Sequence, residues 1–280
     1  MSKSNSLNSD IKSMKLYRHV DRVLTELQYL GKSEQTPLSA SELSPFDQLH
    51  YHGTESVDEA IRATGITASS SVLEIGSGLG GPARHIAATA GAKVTALELQ
   101  NDQDELASHL SARCGLAEKV AHVCGDFLTH EWSTLHFDVI VSWLALYHIP
   151  ERNVLLERCY GLLQKGGYFF TEDLYARKEF TDWERSELAT ELFANCLPDY
   201  DTYLRNLKTA GLELVSAEEM SDDWAVFTRE RLAAYRAHKA RHIDVHGEAV
   251  FTAMEHFYDV VVRHFSGGKL GGIRIVARKA

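Results

Sequence analysis

The sequence predicts an α/β chain: a doubly wound, mostly parallel, seven-stranded sheet flanked by helices, with an N-terminal helix and a helical lid insertion. Three observations carry this expectation. Short apolar runs alternate with segments of helical spacing from about Val57 to Asp173, the rhythm of parallel βαβ units. The first of those runs leads straight into Gly76-Ser77-Gly78-Leu79-Gly80-Gly81, and glycines let a backbone turn tightly and come close to a ligand. Beyond Asp173 the alternation gives way to longer helical segments. These read as a lid over the carboxyl ends of the strands, where open α/β sheets bind ligands.

Taken in order, residues 1–15 are rich in Ser, Asn and Lys without an apolar run, so they read as a flexible start and not as a secretory signal. Residues 16–56 read as an N-terminal helix and a covering segment. Leu16, Val20, Val23, Leu24, Leu27 and Leu30 repeat at helical spacing and Gly31 is a plausible stop, whereas the polar stretch from Lys32 to Pro45 holds two prolines and reads as a loop. Residues 57–280 form the main domain. Its expected elements are a helix Val57–Thr64, a strand Ser71–Ile75, a helix started by Pro82, a strand Lys93–Leu99, a helix Asp104–Cys114 and strands Val120–Cys124 and Phe137–Ser142. A helix Arg152–Leu163 then ends at Lys165-Gly166-Gly167, and strand Tyr168–Asp173 follows. The lid spans about 177–265: two helices broken near Pro198, a strand near Glu213–Ser216, and long helices Ala225–His242 and Glu248–Phe265. A last strand covers Ile273–Ala277.

The bulk numbers bound the function. With 280 residues the chain can bury one large core, and 44% hydrophobic with 24% charged residues is ordinary globular composition. A formal net charge of -10 repels phosphate backbones and anionic membranes, so neither nucleic acid nor a membrane is an expected partner, while a small cationic or zwitterionic molecule meets no obstacle. Cys114, Cys124, Cys159 and Cys196 are widely spaced without a C-x-x-C pair, which suits reduced thiols and a cytoplasmic protein.

The chemistry is concentrated in Val72-Leu73-Glu74-Ile75-Gly76-Ser77-Gly78-Leu79-Gly80-Gly81. Gly76, Gly78 and Gly81 also satisfy the dinucleotide fingerprint, and Glu98 at the end of the second strand suits any ribose diol. Three features separate the readings. Glu74, two residues before the first glycine, favours a cationic ligand such as S-adenosylmethionine, with its sulfonium and ammonium, and repels a pyrophosphate. Asp126, after the third strand, can accept from an adenine amino group. Leu162-Leu163-Gln164-Lys165-Gly166-Gly167 resembles the L-x-P-G-G turn of class I S-adenosylmethionine-dependent methyltransferases. Together these resemble that Rossmann-like fold over roughly Val57–Asp173, and imply S-adenosyl-L-methionine as cofactor and S-adenosyl-L-homocysteine as product.

Other segments narrow the resemblance. Ser142-Trp143-Leu144-Ala145-Leu146-Tyr147-His148-Ile149, Phe170-Thr171-Glu172-Asp173 and Met220-Ser221-Asp222-Asp223-Trp224, with the glycine run, look like the phosphoethanolamine N-methyltransferases. All but the Met220 segment also look like the sarcosine and dimethylglycine N-methyltransferases. The resemblance implies that Gly76, Gly78, Gly80, Glu98, Leu99, Gln103, Asp126, Phe127 and Trp143 join Glu74 at the cofactor. It also implies that His148 acts near the reaction centre with an N-terminal tyrosine, for which Tyr29 is the candidate. The chain departs from the phosphoethanolamine pattern in Phe257-Tyr258-Asp259-Val260-Val261, where no clear phosphate clamp is visible.

The implied reaction is methylation of a small molecule, most simply N-methylation of an amine or amino acid. The alternatives are S- or O-methylation of a small metabolite, or a non-catalytic partner that binds the cofactor. Tyr51, Tyr147, Tyr175 and Trp224, with Trp143, can wall a cationic amine by cation–π attraction, and Asp173 can pair with its ammonium. Core packing is the plain alternative for each aromatic residue. Arg177, Lys269 and Arg274 are candidates for a substrate carboxylate. His238, His242 and His246 would share a helical face, but Gly247 frays that helix and no metal is expected.

Overall fold

The computed structural model describes residues 19–132 and 136–280. Its chain enters through three helices, α1 (Arg22–Tyr29), α2 (Ala40–Asp47) and α3 (Thr54–Thr64). The expected flexible start, 1–15, and the first turn of the expected Leu16–Leu30 helix lie outside the described residues. Helix α2 stands where a loop is expected. Ser39 and Glu42 form a reciprocal capping box. Pro45, inside the helix, cannot donate to the Ser41 carbonyl, and the Ser44 hydroxyl donates to it instead at 3.0 Å.

The alternating region then builds β1 (Ser71–Ile75), α4 (Gly81–Thr89), β2 (Lys93–Glu98), α5 (Asn101–Arg113), β3 (Val120–Cys124), β4 (Phe137–Trp143), α6 (Arg152–Leu162) and β5 (Leu163–Ala176). After it come α7 (Asp182–Glu191), α8 (Tyr200–Thr209), β6 (Leu212–Glu219), α9 (Ser221–Ala237), α10 (Lys239–His246), α11 (Glu248–Ser266) and β7 (Leu270–Lys279). The seven strands form one sheet in the order β3-β2-β1-β4-β5-β7-β6. All pairings are parallel except those of β7, which lies antiparallel between β5 and β6. The doubly wound, seven-stranded expectation holds. Strand β5 begins earlier than expected, because Gly166-Gly167 is an irregularity within it: Leu163 pairs with Phe137 and Tyr168 with Val139.

Alternation along the strands fills both faces of the sheet. Leu73, Ile75, Ile140, Phe169 and Ile275 pack one way, toward Leu155, Tyr203 and Leu207 of α6 and α8. Val72, Val139, Val141, Phe170 and Val276 pack the other way, toward α3 and α4. Within the expected lid region, α8 and β6 therefore belong to the sheet layers. The cover proper is built by α7, α9 and α11, whose Leu188, Trp224, Val260 and Val261 close over Tyr51, Tyr147 and Leu174. Helix α1 is tied to α10 by Glu26, which accepts from both Arg241 and His246.

Candidate active site

The β1–α4 turn sets the floor of the site. Gly76, Gly78 and Gly80 have φ of 72°, 53° and 72°, left-handed values that glycine adopts without strain. A Cβ on Gly76 would stand 2.4 Å from that of Ala145, so the loop after β4 closes directly on the turn. A Cβ on Gly81 would meet the Asp47 carbonyl at 2.5 Å, so the end of α2 lies across the start of α4. A buried ion pair fixes that crossing, with Arg84 and Asp47 at 2.8 Å and 0% and 1% exposed.

These elements enclose a cavity of about 430 Å³ at the carboxyl ends of β1, β2 and β4. Of the residues expected at a cofactor, Glu74, Gly76, Gly78, Glu98, Leu99, Gln103, Asp126, Phe127 and Trp143 all line it. Gly80 does not, and its missing side chain makes room for Arg84 and His122 instead. Glu74 is 2% exposed, and its Oε2 has no hydrogen-bond partner among the described residues. Burial pushes its carboxyl up to about 8, against the opposing charge of Arg84. Glu98 is also raised by burial, while it accepts the backbone N–H groups of Gly78 and Gln100 at 2.8 and 2.9 Å. Gln103 Oε1 and Ser77 Oγ are buried without a partner as well. Asp126 accepts from the Leu128 N–H at 2.9 Å, and Trp143 donates to Ser56 at 2.8 Å, which fixes the ring. Buried acceptors without donors are costly, and here they converge on one cavity.

His148 lines the same cavity on a single 3₁₀ turn, Leu146–His148. Burial lowers its imidazole to about 4, so it is neutral near pH 7. A carbonyl can only accept, so the 2.9 Å contact to the Phe193 oxygen places the proton on Nδ1 and leaves Nε2 as an acceptor. The loop after α7 grips this turn: the N–H groups of Asn195 and Cys196 both reach the Tyr147 carbonyl, and the Asn195 amide donates to that of His148. Leu144 and Phe193, on either side of this contact, have φ of 50° and 51°. Such values in non-glycine residues store strain of about 1–3 kcal/mol, typically at functional sites.

A second cavity, of about 330 Å³, lies under α1, α9, α10 and α11, and shares Leu49, Gln103 and Leu144 with the first as common wall. Tyr51 and Tyr147, both candidates for an acceptor site, line it. Neighbours on one turn thus serve both spaces, Tyr147 the second and His148 the first.

Four candidates are placed elsewhere. Tyr29 is 55% exposed beneath Arg241 and lines neither cavity. Asp173 is fully buried and already neutralised by Arg152 at 2.8 Å, with the Tyr203 hydroxyl donating at 2.9 Å. Trp224 is core: it is 0% exposed, and a Cβ on Gly272 would fall 2.0 Å from its ring. Tyr175 is 3% exposed and donates to Glu219. Arg177, Lys269 and Arg274 pair with Asp222, Glu184 and Glu172 respectively. The expected histidine face breaks at His238, which ends α9. His242 and His246 instead meet Glu26, with donor atoms all within 4.8 Å.

Sequence reasoning missed Asp47, whose only signal was the S-x-x-E cap of its helix. The segment 47–53 reads from sequence either as a lid over the cofactor or as a plain connector, and its Asp47, Leu49 and His50 line the first cavity, where burial lowers His50 to about 4. Sequence reasoning also missed Arg231, an arginine with no motif around it.

Residues 73–171 match the family described as a methyltransferase domain. A sterol 24-C-methyltransferase of Eremothecium gossypii is 35% identical over 105 residues, which are 38% of this chain and 28% of that protein. The chain thus spans well under two thirds of that relative's length. A solved structure from Galdieria sulphuraria, assigned to sarcosine and dimethylglycine methylation, superposes with a TM-score of 0.73 at 17% identity, over 93% of this chain and 98% of that one. The phosphoethanolamine N-methyltransferase 2 of Haemonchus contortus superposes with a TM-score of 0.77 at 16% identity, over 96% and 61%. The fold is that of the class I methyltransferases.

Proposed function

We propose that this chain, a class I methyltransferase fold with a methyltransferase domain over residues 73–171, uses S-adenosylmethionine to methylate a predominantly apolar small molecule held in the second cavity. The observation that carries the cofactor is Glu74. Its buried, unpartnered oxygen and raised carboxyl call for a cation under the glycine turn, which an ammonium supplies and a pyrophosphate does not. Glu98 retains lone pairs for a ribose diol, and Asp126 and Phe127, which line the same cavity, would hold the adenine. When bound, S-adenosylmethionine supplies an electrophilic sulfonium methyl.

The chain's own part is alignment and proton handling. Leu49, Gln103 and Leu144 line both cavities and would flank the place where a donor in the first meets an acceptor in the second, and orientation supplies most of the rate in such a transfer. His148 lines the first cavity, is neutral and keeps Nε2 as an acceptor, so it would take the proton that an acceptor reaching the sulfonium methyl from the second cavity loses on methylation. The acceptor is read from the second cavity, whose walls include Val23, Phe46, Leu174, Met254, Phe257 and Val261. A small ammonium finds no free carboxylate there among the described residues: Glu26, the one acidic residue lining it, is held by Arg241 and His246. That weighs against the amine acceptor and toward an apolar one. The sterol 24-C-methyltransferase relative, named for methylation at a sterol carbon, supports the same choice.

The test is transfer of label from methyl-labelled S-adenosylmethionine into an organic extract supplied with apolar acceptors. Label should enter a small organic-soluble product. His148→Ala should lower turnover by about 100-fold or more, far more than it lowers S-adenosylhomocysteine affinity, and unaltered turnover would remove His148 from the chemistry.

A further inference from the structure

The acceptor cavity is electrically unlike the rest of the molecule. The chain carries a formal charge of -10, yet Arg22, Arg231 and Arg241 line this cavity against a single acidic residue, Glu26. Glu26 is spent on Arg241, which it binds through both oxygens. Arg22 and Arg231 have no carboxylate partner among the described residues, and the Nε of each is buried without a hydrogen-bond partner.

The Arg231 guanidinium lies over three rings, 5.0 Å from Tyr51, 5.5 Å from Phe227 and 4.7 Å from Tyr258. Aromatic faces stabilise the charge and fix the plane of the fork without using its N–H donors. One side-chain hydrogen bond joins Arg231 to Tyr51, while its Nε stays buried without a partner among the described residues, so a half-buried guanidinium stacked in this way and facing the cavity keeps donors with which to receive an oxyanion.

We infer that the acceptor carries an acidic head group, a carboxylate or a phosphate, on its apolar body, and that Arg231 binds that head with Arg22 in support. This rests on the reading of the second cavity as the acceptor site. Arg231 is then a specificity residue: it anchors the end of the acceptor remote from the reacting atom, and the apolar walls take the remainder. An acidic head also explains why the cavity is positive in an acidic protein, since the surrounding field would otherwise exclude such a ligand.

The test is calorimetric binding of four probes of equal chain length, decanoate, decyl phosphate, decanol and decylamine, to the full chain saturated with S-adenosylhomocysteine. One or both anions should bind about 10- to 100-fold more tightly than decanol, with decylamine weakest, and the tighter anion identifies the head group. Arg231→Gln should bring the anions to within about threefold of decanol, leaving decanol and S-adenosylhomocysteine binding unchanged. Decanol binding as tightly as both anions to the wild type would overturn the inference, and so would a folded Arg231→Gln protein that keeps the anion preference. If that variant does not fold, Arg22→Gln and the wild-type series still decide. Failure of S-adenosylhomocysteine to bind would strike the methyltransferase reading separately, and the same probes run without it would still report the anion preference.

Discussion

Replacing Glu74 by Gln removes one ionisable group and little volume. With its carboxyl near 8, Glu74 in the free protein at pH 7 is about nine-tenths protonated. A cationic cofactor beside the unpartnered Oε2 favours the ionised form, so binding at pH 7 should release most of a proton. By the same linkage, affinity should rise by up to about tenfold per pH unit as pH approaches 8, then level off. The effect on the free protein has the opposite sense. Its folded carboxyl is raised above the unfolded one, so stability falls as pH rises from about 4.5 toward 8, and the cofactor offsets that loss. The assay is calorimetry at pH 7 in buffers of different ionisation enthalpy. Wild type should release the proton, whereas Glu74→Gln should release none and bind about 10- to 100-fold more weakly. Equal proton release and equal affinity in both proteins would refute the role assigned to Glu74.

Asp47→Ala would leave Arg84 without its carboxylate at 0% exposure, and should cost about 3–5 kcal/mol in urea melts; a loss below about 1 kcal/mol would show that the pair does not anchor α2. Gly272→Ala would drive a methyl into the Trp224 ring at 2.0 Å and should cost at least about 1–3 kcal/mol, so an unchanged melting temperature would contradict the packing described. His122, lowered to about 4 by burial, bonds Ser111 at 2.8 Å. The unfolded chain takes up this proton first as pH falls below about 6.5, so wild type loses stability that His122→Asn does not. The gap between the two proteins should narrow by about 1–2 kcal/mol between pH 7 and pH 5, and a constant gap would contradict a neutral buried His122.

The frame was legible because its signals are local. Strands Ser71–Ile75 and Val120–Cys124 fall where the apolar runs place them, since both are bounded by polar or glycine residues. The residues that line the first cavity were legible because the glycine turn and the carboxyl ends of β1 to β4 fix their places along the chain. What failed was decided by partners distant in sequence. Asp173 offers a free carboxylate by type, and only folding brings Arg152 and Tyr203 to it from 21 and 30 residues away. Trp224 and Tyr175 are aromatic in the right region, but burial against Gly272 and Glu219 makes them structural. Tyr29 was placed by analogy of position, and the short α1 leaves it on the surface. Helix α2 was hidden by Pro45, although its S-x-x-E cap was in plain view. Arg231 had no signature, because its meaning comes from three rings on three different elements.

The central claim is that the cavity beneath the glycine turn holds S-adenosylmethionine. A crystal structure of the chain grown with S-adenosylhomocysteine tests it most directly. The ligand should lie in that cavity, its ammonium on Glu74 and its ribose on Glu98, with the second cavity left open to an acceptor. An empty cavity with Glu74 still unpartnered, or a dinucleotide taken up there in its place, would contradict it.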